Sequence, residues 1–211
     1  MSNIRYYNLD SSELFSLAKF VVEENYNHHQ CNHIQLIDNE VSEMCHEEKK
    51  LSNSTIFVAR DGNYLITGSI RVTRWNYKDT LPTEKLFNIN PQEKVFRNLN
   101  IWHIGRFAVK QGADKKGFII FKTLMTLAIN QVCSQENSAV LAECDVKLLR
   151  TLKLLGFEVV TLSESINYLG SETVPVLFSF SGLKKFLDKN AYLIKENPIQ
   201  KNRVMSYKKA I

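Results

Sequence analysis

Leu14, Leu17, Ala18, Val21 and Val22 recur at the spacing of one helix face, behind Asp10 and Glu13, which are placed as in a capping box. The pattern predicts a short strand over 4–7 and then a helix to about residue 24. A polar, Asn-rich tract covers 25–33. Residues 34–50 then set Leu36, Ile37, Val41 and Met44 among acidic positions, which predicts an amphipathic helix with a charged face. Two strand-like runs, 55–60 and 64–75, flank Asp61-Gly62, a dipeptide that favours a hairpin turn. Residues 78–98 show no period and contain Pro82 and Pro91, so they read as a long irregular connection.

The centre of the pattern is 101–118. Residues 101–109 are apolar apart from His103, Gly105 and Arg106, the composition of a strand buried on both faces. A polar loop over 110–116 leads into a mostly apolar run, 118–132, too long for one strand and therefore predicted as a helix. The free N–H groups of that helix start, together with Lys115, Lys116 and Gly117, suit a phosphate or pyrophosphate. The alternative is a plain strand-to-helix connection with a solvated basic tip. Beyond it come a strand over 139–143 and a helix capped by Asp145 and closed by Gly156. Strands over 157–162 and 173–180 and a helix over 183–195 complete the pattern, with a frayed basic tail over 201–209. Alternation of strands and helices without repeats predicts one α/β domain over 1–196, a mixed sheet flanked by helices, and a tail over 197–211.

Composition narrows the class of partner. Lys and Arg outnumber Asp and Glu 27 to 22, too mild an excess for a dedicated nucleic-acid binder. The four cysteines are scattered with no paired spacing, which fits reduced thiols and a cytoplasmic chain. No apolar run reaches bilayer-spanning length and no signal peptide is visible. His28, His29, Cys31 and His33 lie in a polar tract that reads as solvated surface, so no metal site is assigned.

Three segments carry a resemblance. The strand ending in Gly105-Arg106-Phe107-Ala108-Val109, the loop with Lys115-Lys116-Gly117 and the helix ending in Leu154-Leu155-Gly156-Phe157 resemble the GNAT acyltransferase superfamily. Within it, His103-Ile104-Gly105-Arg106-Phe107 and Gly68-Ser69-Ile70-Arg71-Val72 are similar to motifs of the acyl-homoserine-lactone and long-chain N-acyl amino acid synthases. The stretch from Tyr168-Leu169-Gly170 to Pro175-Val176-Leu177 also resembles that branch. The resemblance implies a GNAT-like fold and transfer of an acyl group, medium or long, from an acyl-CoA or acyl carrier protein thioester to an amine such as an amino acid. It implies no permanently bound cofactor. It also places the pantetheine arm along Phe107, Ala108, Val109, Asp114, Lys115, Lys116, Gly117 and Phe118. The sequence departs from the branch: His103 stands where a carboxylate is usual, the phosphate loop keeps one glycine, and Leu152 lies where a tyrosine acid is common. A short-chain acetyltransferase using acetyl-CoA, or an inactive thioester-binding module, therefore remain as alternatives.

The chemistry names the candidate residues. An ammonium must lose a proton before it attacks a thioester, and imidazole is suited to accept one, so His103 is the candidate base, against a core histidine. Glu143 is the alternative base. Arg71 and Arg106 are candidates to clamp a carboxylate, against a structural ion pair for Arg106. Arg71 and Arg74 are three apart and point to opposite faces of a regular strand, so one is covered and the other wet; the resemblance favours Arg71. The same rule separates His103 from Arg106 unless a bulge at Gly105 reunites them. Phe107, Phe118, Phe121, Leu124 and Met125 are candidates to line an acyl tunnel, with Trp75 and Trp102 at its mouth, or else they are plain core.

Overall fold

The computed structural model describes residues 4–29, 34–51, 53–93, 96–114 and 118–201. In chain order the strands are β1 (Arg5–Asn8), β2 (Ser54–Arg60), β3 (Ile66–Arg74), β4 (Asn100–Val109), β5 (Ser138–Asp145), β6 (Val159–Thr161), β7 (Ile166–Tyr168), β8 (Ser171–Phe178) and β9 (Ile199–Gln200). The helices are α1 (Leu14–His29), α2 (Ile34–Lys50), α3 (Pro82–Phe87), α4 (Ile119–Val132), α5 (Val146–Leu154), α6 (Phe180–Asn190) and α7 (Tyr192–Glu196). Among the described residues one mixed sheet runs in the order β6-β8-β5-β4-β3-β2-β1-β9, with β7 added on β8. The expected mixed α/β fold is present.

Two apolar layers cover the sheet. Ile70, Val72, Trp102, Ile104, Val140 and Ala142 face α4, α5 and α6, while Ile56, Val58 and Ala108 face α1 and α2. Gly68 lets α4 lie close, because a Cβ there would stand 2.9 Å from both Ile120 Cγ2 and Leu124 Cδ1. Only β4 and β5 are parallel neighbours in the middle of the sheet, and their pairing stops at His103 opposite Leu141. Both strands continue, β4 to Val109 and β5 to Asp145, so a gap opens between them.

Several elements differ from the sequence reading. The 78–98 connection contains α3, started by Pro82, whose missing N–H costs a helix nothing at its first turn. β7 forms a tight hairpin with β8 that has no long apolar run to announce it. Asp10 caps its helix by accepting from the Ser12 N–H, and Glu13, instead of closing a capping box, accepts from Arg60 at 2.7 Å. The expected 183–195 helix is divided at Ala191 into α6 and α7. The Lys115-Lys116-Gly117 loop and the tail beyond residue 201 lie outside the described residues.

Candidate active site

β3 and β4 pair with one extra residue on β4: Arg71 faces Gly105 and Ser69 faces Ala108, so Arg106 and Phe107 together oppose Ile70. This is a bulge, and Arg106 takes the left-handed conformation at φ 53° that such a bulge requires. Ser69 Oγ donates to the Arg106 carbonyl at 2.7 Å and holds the distorted turn. The bulge lies just past the predicted Gly105. It has the expected effect, because His103 and Arg106 both enter the network on the α1–α2 side of the sheet.

Glu48 of α2 is the centre of that network. Its Oε1 accepts from Arg71 Nη1 at 2.5 Å and from Arg106 Nε at 2.6 Å. Glu47 accepts from Arg106 Nη2 at 3.3 Å and also from Lys85 of α3. The two arginines thus clamp a carboxylate of the protein itself. Burial penalises the charge of Glu48, but Arg71 and Arg106 outweigh it and hold the carboxyl below its ordinary value. Arg74 is exposed and Arg71 wholly buried, as the three-residue spacing requires.

His103 is buried with both ring nitrogens occupied. Arg71 Nη2 lies 3.0 Å from Nδ1, and a guanidinium can only donate, so Nδ1 is the acceptor. Nε2 then carries the proton and donates to both Glu143 oxygens at 3.0 Å. Burial pushes the His103 pKa down despite Glu143, which keeps the ring neutral. Gly105 makes room for this pair, since a Cβ there would stand 2.9 Å from His103 Cε1 and 3.0 Å from Arg71 Nη2. For Glu143, burial works to raise the pKa, but His103, Arg71 and Arg106 bring it below the ordinary value, so the carboxylate is charged.

The gap between β4 and β5 is a cavity of about 100 Å³. Gly105, Arg106, Glu143 and Tyr168 line its polar end, and Met125, Leu152, Phe178 and Leu183 its apolar end. A second cleft of about 310 Å³ follows Phe107, Ala108, Val109, Asp114 and Phe118, and the two share Asn25, Phe107, Asp145 and Leu148. Among the described residues, backbone groups of β4 beyond His103 have no partner strand on the β5 side, leaving N–H donors for an oxyanion.

The structure gathers Arg71, His103, Arg106, Phe107 and Glu143 at one place, but not the tryptophans. Trp75 packs with Leu81 and Phe96 in a separate cluster, and Trp102 belongs to the core beneath α4. The expectation of both at a tunnel mouth is corrected: the strand alternation that brings His103 to the site turns Trp102 to the opposite face. Leu124 is plain core against β3. Sequence reasoning missed the roles of Glu47 and Glu48, although the acidic face of their helix was visible. It also gave no role to Tyr168, which lines the polar end of the cavity with Arg106. Its only signal was a tyrosine before a Leu-Gly turn.

The profile of the N-acyl amino acid synthase FeeM family matches residues 21–178. The structure of FeeM, an N-acyl amino acid synthase from uncultured soil microbes, is 10% identical, with coverage of 91% of this chain and 99% of that one and a TM-score of 0.63. The acyl-homoserine-lactone synthase LasI is 10% identical, covering 96% and 99%, with a TM-score of 0.56. A GNAT-family acetyltransferase of Staphylococcus aureus Mu50 is 14% identical, covering 84% and 99%, with a TM-score of 0.54. No curated protein sequence matches this chain. With the family profile spanning most of the chain and the splayed β4–β5 site at its centre, this protein belongs to the FeeM N-acyl amino acid synthase family and is an N-acyltransferase of GNAT-like fold.

Proposed function

We propose that the chain transfers a medium- or long-chain acyl group from the phosphopantetheine thioester of an acyl carrier protein to a small amine such as an amino acid. The observation that carries this reading is the gap between β4 and β5, with a charged Glu143 at its polar end and an apolar wall behind it. The pantetheine arm lies in the cleft along β4, and the thioester carbonyl sits at the splay with its oxygen on β4 N–H groups. The acceptor's ammonium is drawn to Glu143. Glu143 takes one proton from the ammonium and passes it to solvent, which frees the lone pair for attack, and it takes the second as the C–N bond forms and the nitrogen becomes acidic. His103 has no free lone pair to act as that base, and its work is to aim Glu143. The pair Arg71–Glu48 fixes His103 in turn.

Two carboxylates in the donor cleft favour a carrier protein over coenzyme A. Glu24 accepts from the Gln111 N–H at 3.0 Å, and Asp114 accepts from the Phe121 N–H at 3.0 Å in the first turn of α4. These N–H groups face the path of a diphosphate, and both are already taken by negative charge. A carrier-borne pantetheine brings a single phosphodiester and meets less repulsion.

The test is steady-state transfer to a panel of amino acids, with octanoyl groups supplied on carrier protein or on coenzyme A and products identified by mass spectrometry. Glu143→Gln should lower kcat by roughly 10²–10⁴-fold with donor affinity retained. Unchanged turnover in that variant removes Glu143 as the base. A parent enzyme that binds donors and transfers to no amine is a binding module instead.

A further inference from the structure

We propose that Glu24 and His28, near the end of α1, occupy the open edge of β4 in place of the donor's pantetheine arm, and that a donor must displace them to bind. The proposal rests on the acyl-transfer reading above and concerns how its donor cleft is entered.

The backbone defines the edge. The Lys110 N–H donates to the Thr67 carbonyl at 2.9 Å, on the β3 side. Alternation along an extended chain then turns the Val109 carbonyl and the Gln111 N–H the other way, into the cleft that both residues line. An acceptor and a donor that flank one residue are the pair a parallel neighbour would bridge. β5 is parallel to β4, but its pairing has ended at Leu141, opposite His103. An arm with two amide groups can replace the missing strand, because each amide offers an N–H and a C=O.

Side chains of α1 already hold both groups. His28 Nε2 lies 3.0 Å from the Val109 carbonyl, and a carbonyl only accepts, so Nε2 carries the proton and donates. Glu24 Oε2 accepts from the Gln111 N–H at 3.0 Å. The two residues are four apart and share one face of the helix, with His28 Nε2 3.9 Å from that same oxygen. On the other bank Lys147, at the start of α5, donates from Nζ to the His28 carbonyl at 3.3 Å. The end of α1 thus crosses the cleft from β4 to α5 and is tied to both. Asn25 lines both cavities, but its amide is turned onto the Val21 carbonyl at 2.8 Å and leaves the edge to its neighbours.

These ties can be broken. The bonds of His28 and Lys147 are exposed to water, where a hydrogen bond contributes little net stability. Glu24 is buried and makes the stronger, charge-assisted bond. The contact keeps the polar edge satisfied between turnovers and weakens donor binding by the strength of the bonds that must be exchanged.

The experiment measures, by calorimetry on the full chain, the binding of S-octyl pantetheine, a thioether that cannot be turned over. The double variant Glu24→Ala, His28→Ala should bind it about tenfold more tightly than the parent, and each single variant by a smaller factor. Weaker binding by the double variant means that the two side chains hold the arm, and equal binding means that the arm does not reach Val109 and Gln111. Either result overturns the proposal. The parent gives a second measurement that does not depend on the variant's folding. The Cε1 proton resonance of His28, identified by its absence from His28→Gln, should move toward that of a free imidazole as the thioether saturates the protein. A resonance that stays in place means that side chain and arm share the edge, and overturns the proposal as well. A parent that binds no thioether fails the acyl-transfer reading itself and the α1 contact with it, whereas the other outcomes leave that reading standing.

Discussion

His103 is where the sequence and the structure differ most in meaning. A lone histidine in an apolar strand was legible as a special residue, and imidazole chemistry suggested a base. Its neighbours favour the positioning role proposed above, since Arg71 takes the lone pair of Nδ1 and Glu143 takes the Nε2 proton. Those partners are 32 and 40 residues away, so no local pattern could reveal them. The same separation hid Glu48, which lies 58 residues from Arg106. The arrangement has a measurable consequence. Because burial lowers the folded pKa of His103, the unfolded chain takes up a proton first as pH falls below about 6.5, the ordinary histidine value. Stability from this residue is complete above that pH. It declines as pH drops toward the folded pKa, with a limiting slope of about 1.4 kcal/mol per pH unit for one proton. Urea unfolding between pH 5 and 8 should show the decline, and His103→Gln should flatten it. A parent whose stability is level across that range would mean that folding leaves the histidine pKa unchanged, and one that gains stability as pH falls would mean that the ring is charged in the fold.

Elements with a strong period were readable because their burial is set locally. The α1 stripe, the β2–β3 hairpin around Asp61-Gly62, the β4 core strand and the Asp145 cap of α5 all follow from spacing or side-chain chemistry. The elements that escaped, α3 and β7, are too short to show a period and owe their form to what they pack against. The bulge in β4 was readable only as a requirement, imposed by two residues that had to meet. The approach of α4 to β3 depends on a single missing Cβ. Gly68→Ala places a methyl 2.9 Å from two side-chain carbons of a well-packed helix, and one of the two surfaces must move. Overpacking of this kind costs about 1–3 kcal/mol. The urea midpoint should fall with its slope unchanged, as expected when stability changes and the unfolded ensemble does not. No shift would mean that α4 slides without cost and that the position merely tolerates glycine.

At the scale of the whole molecule, the sheet separates two environments, and the β4–β5 gap is lined by residues of both. On one side stand Glu48, Arg71, His103 and Glu143; on the other, Met125 of α4, Leu152 of α5, Phe178 of β8 and Leu183 of α6 enclose an apolar end. On the acyl-transfer reading proposed above, a thioester held at the gap would present its carbonyl to the polar side and its hydrocarbon tail to the core. Such a tail would leave water on entering. Each buried methylene contributes about 0.8 kcal/mol, so six further carbons sheltered there contribute roughly 4–5 kcal/mol. That corresponds to more than about a thousandfold in affinity. Specificity constants for donors from acetyl to palmitoyl should thus climb steeply through the medium lengths and level off where the tail outgrows the cavity. Met125→Trp, which fills part of the apolar wall, should move the optimum to shorter chains while leaving the acetyl rate near that of the parent. A profile that is flat, or highest with acetyl, would show that these side chains close on one another as solid core. The enzyme would then be a short-chain acetyltransferase built on the same sheet.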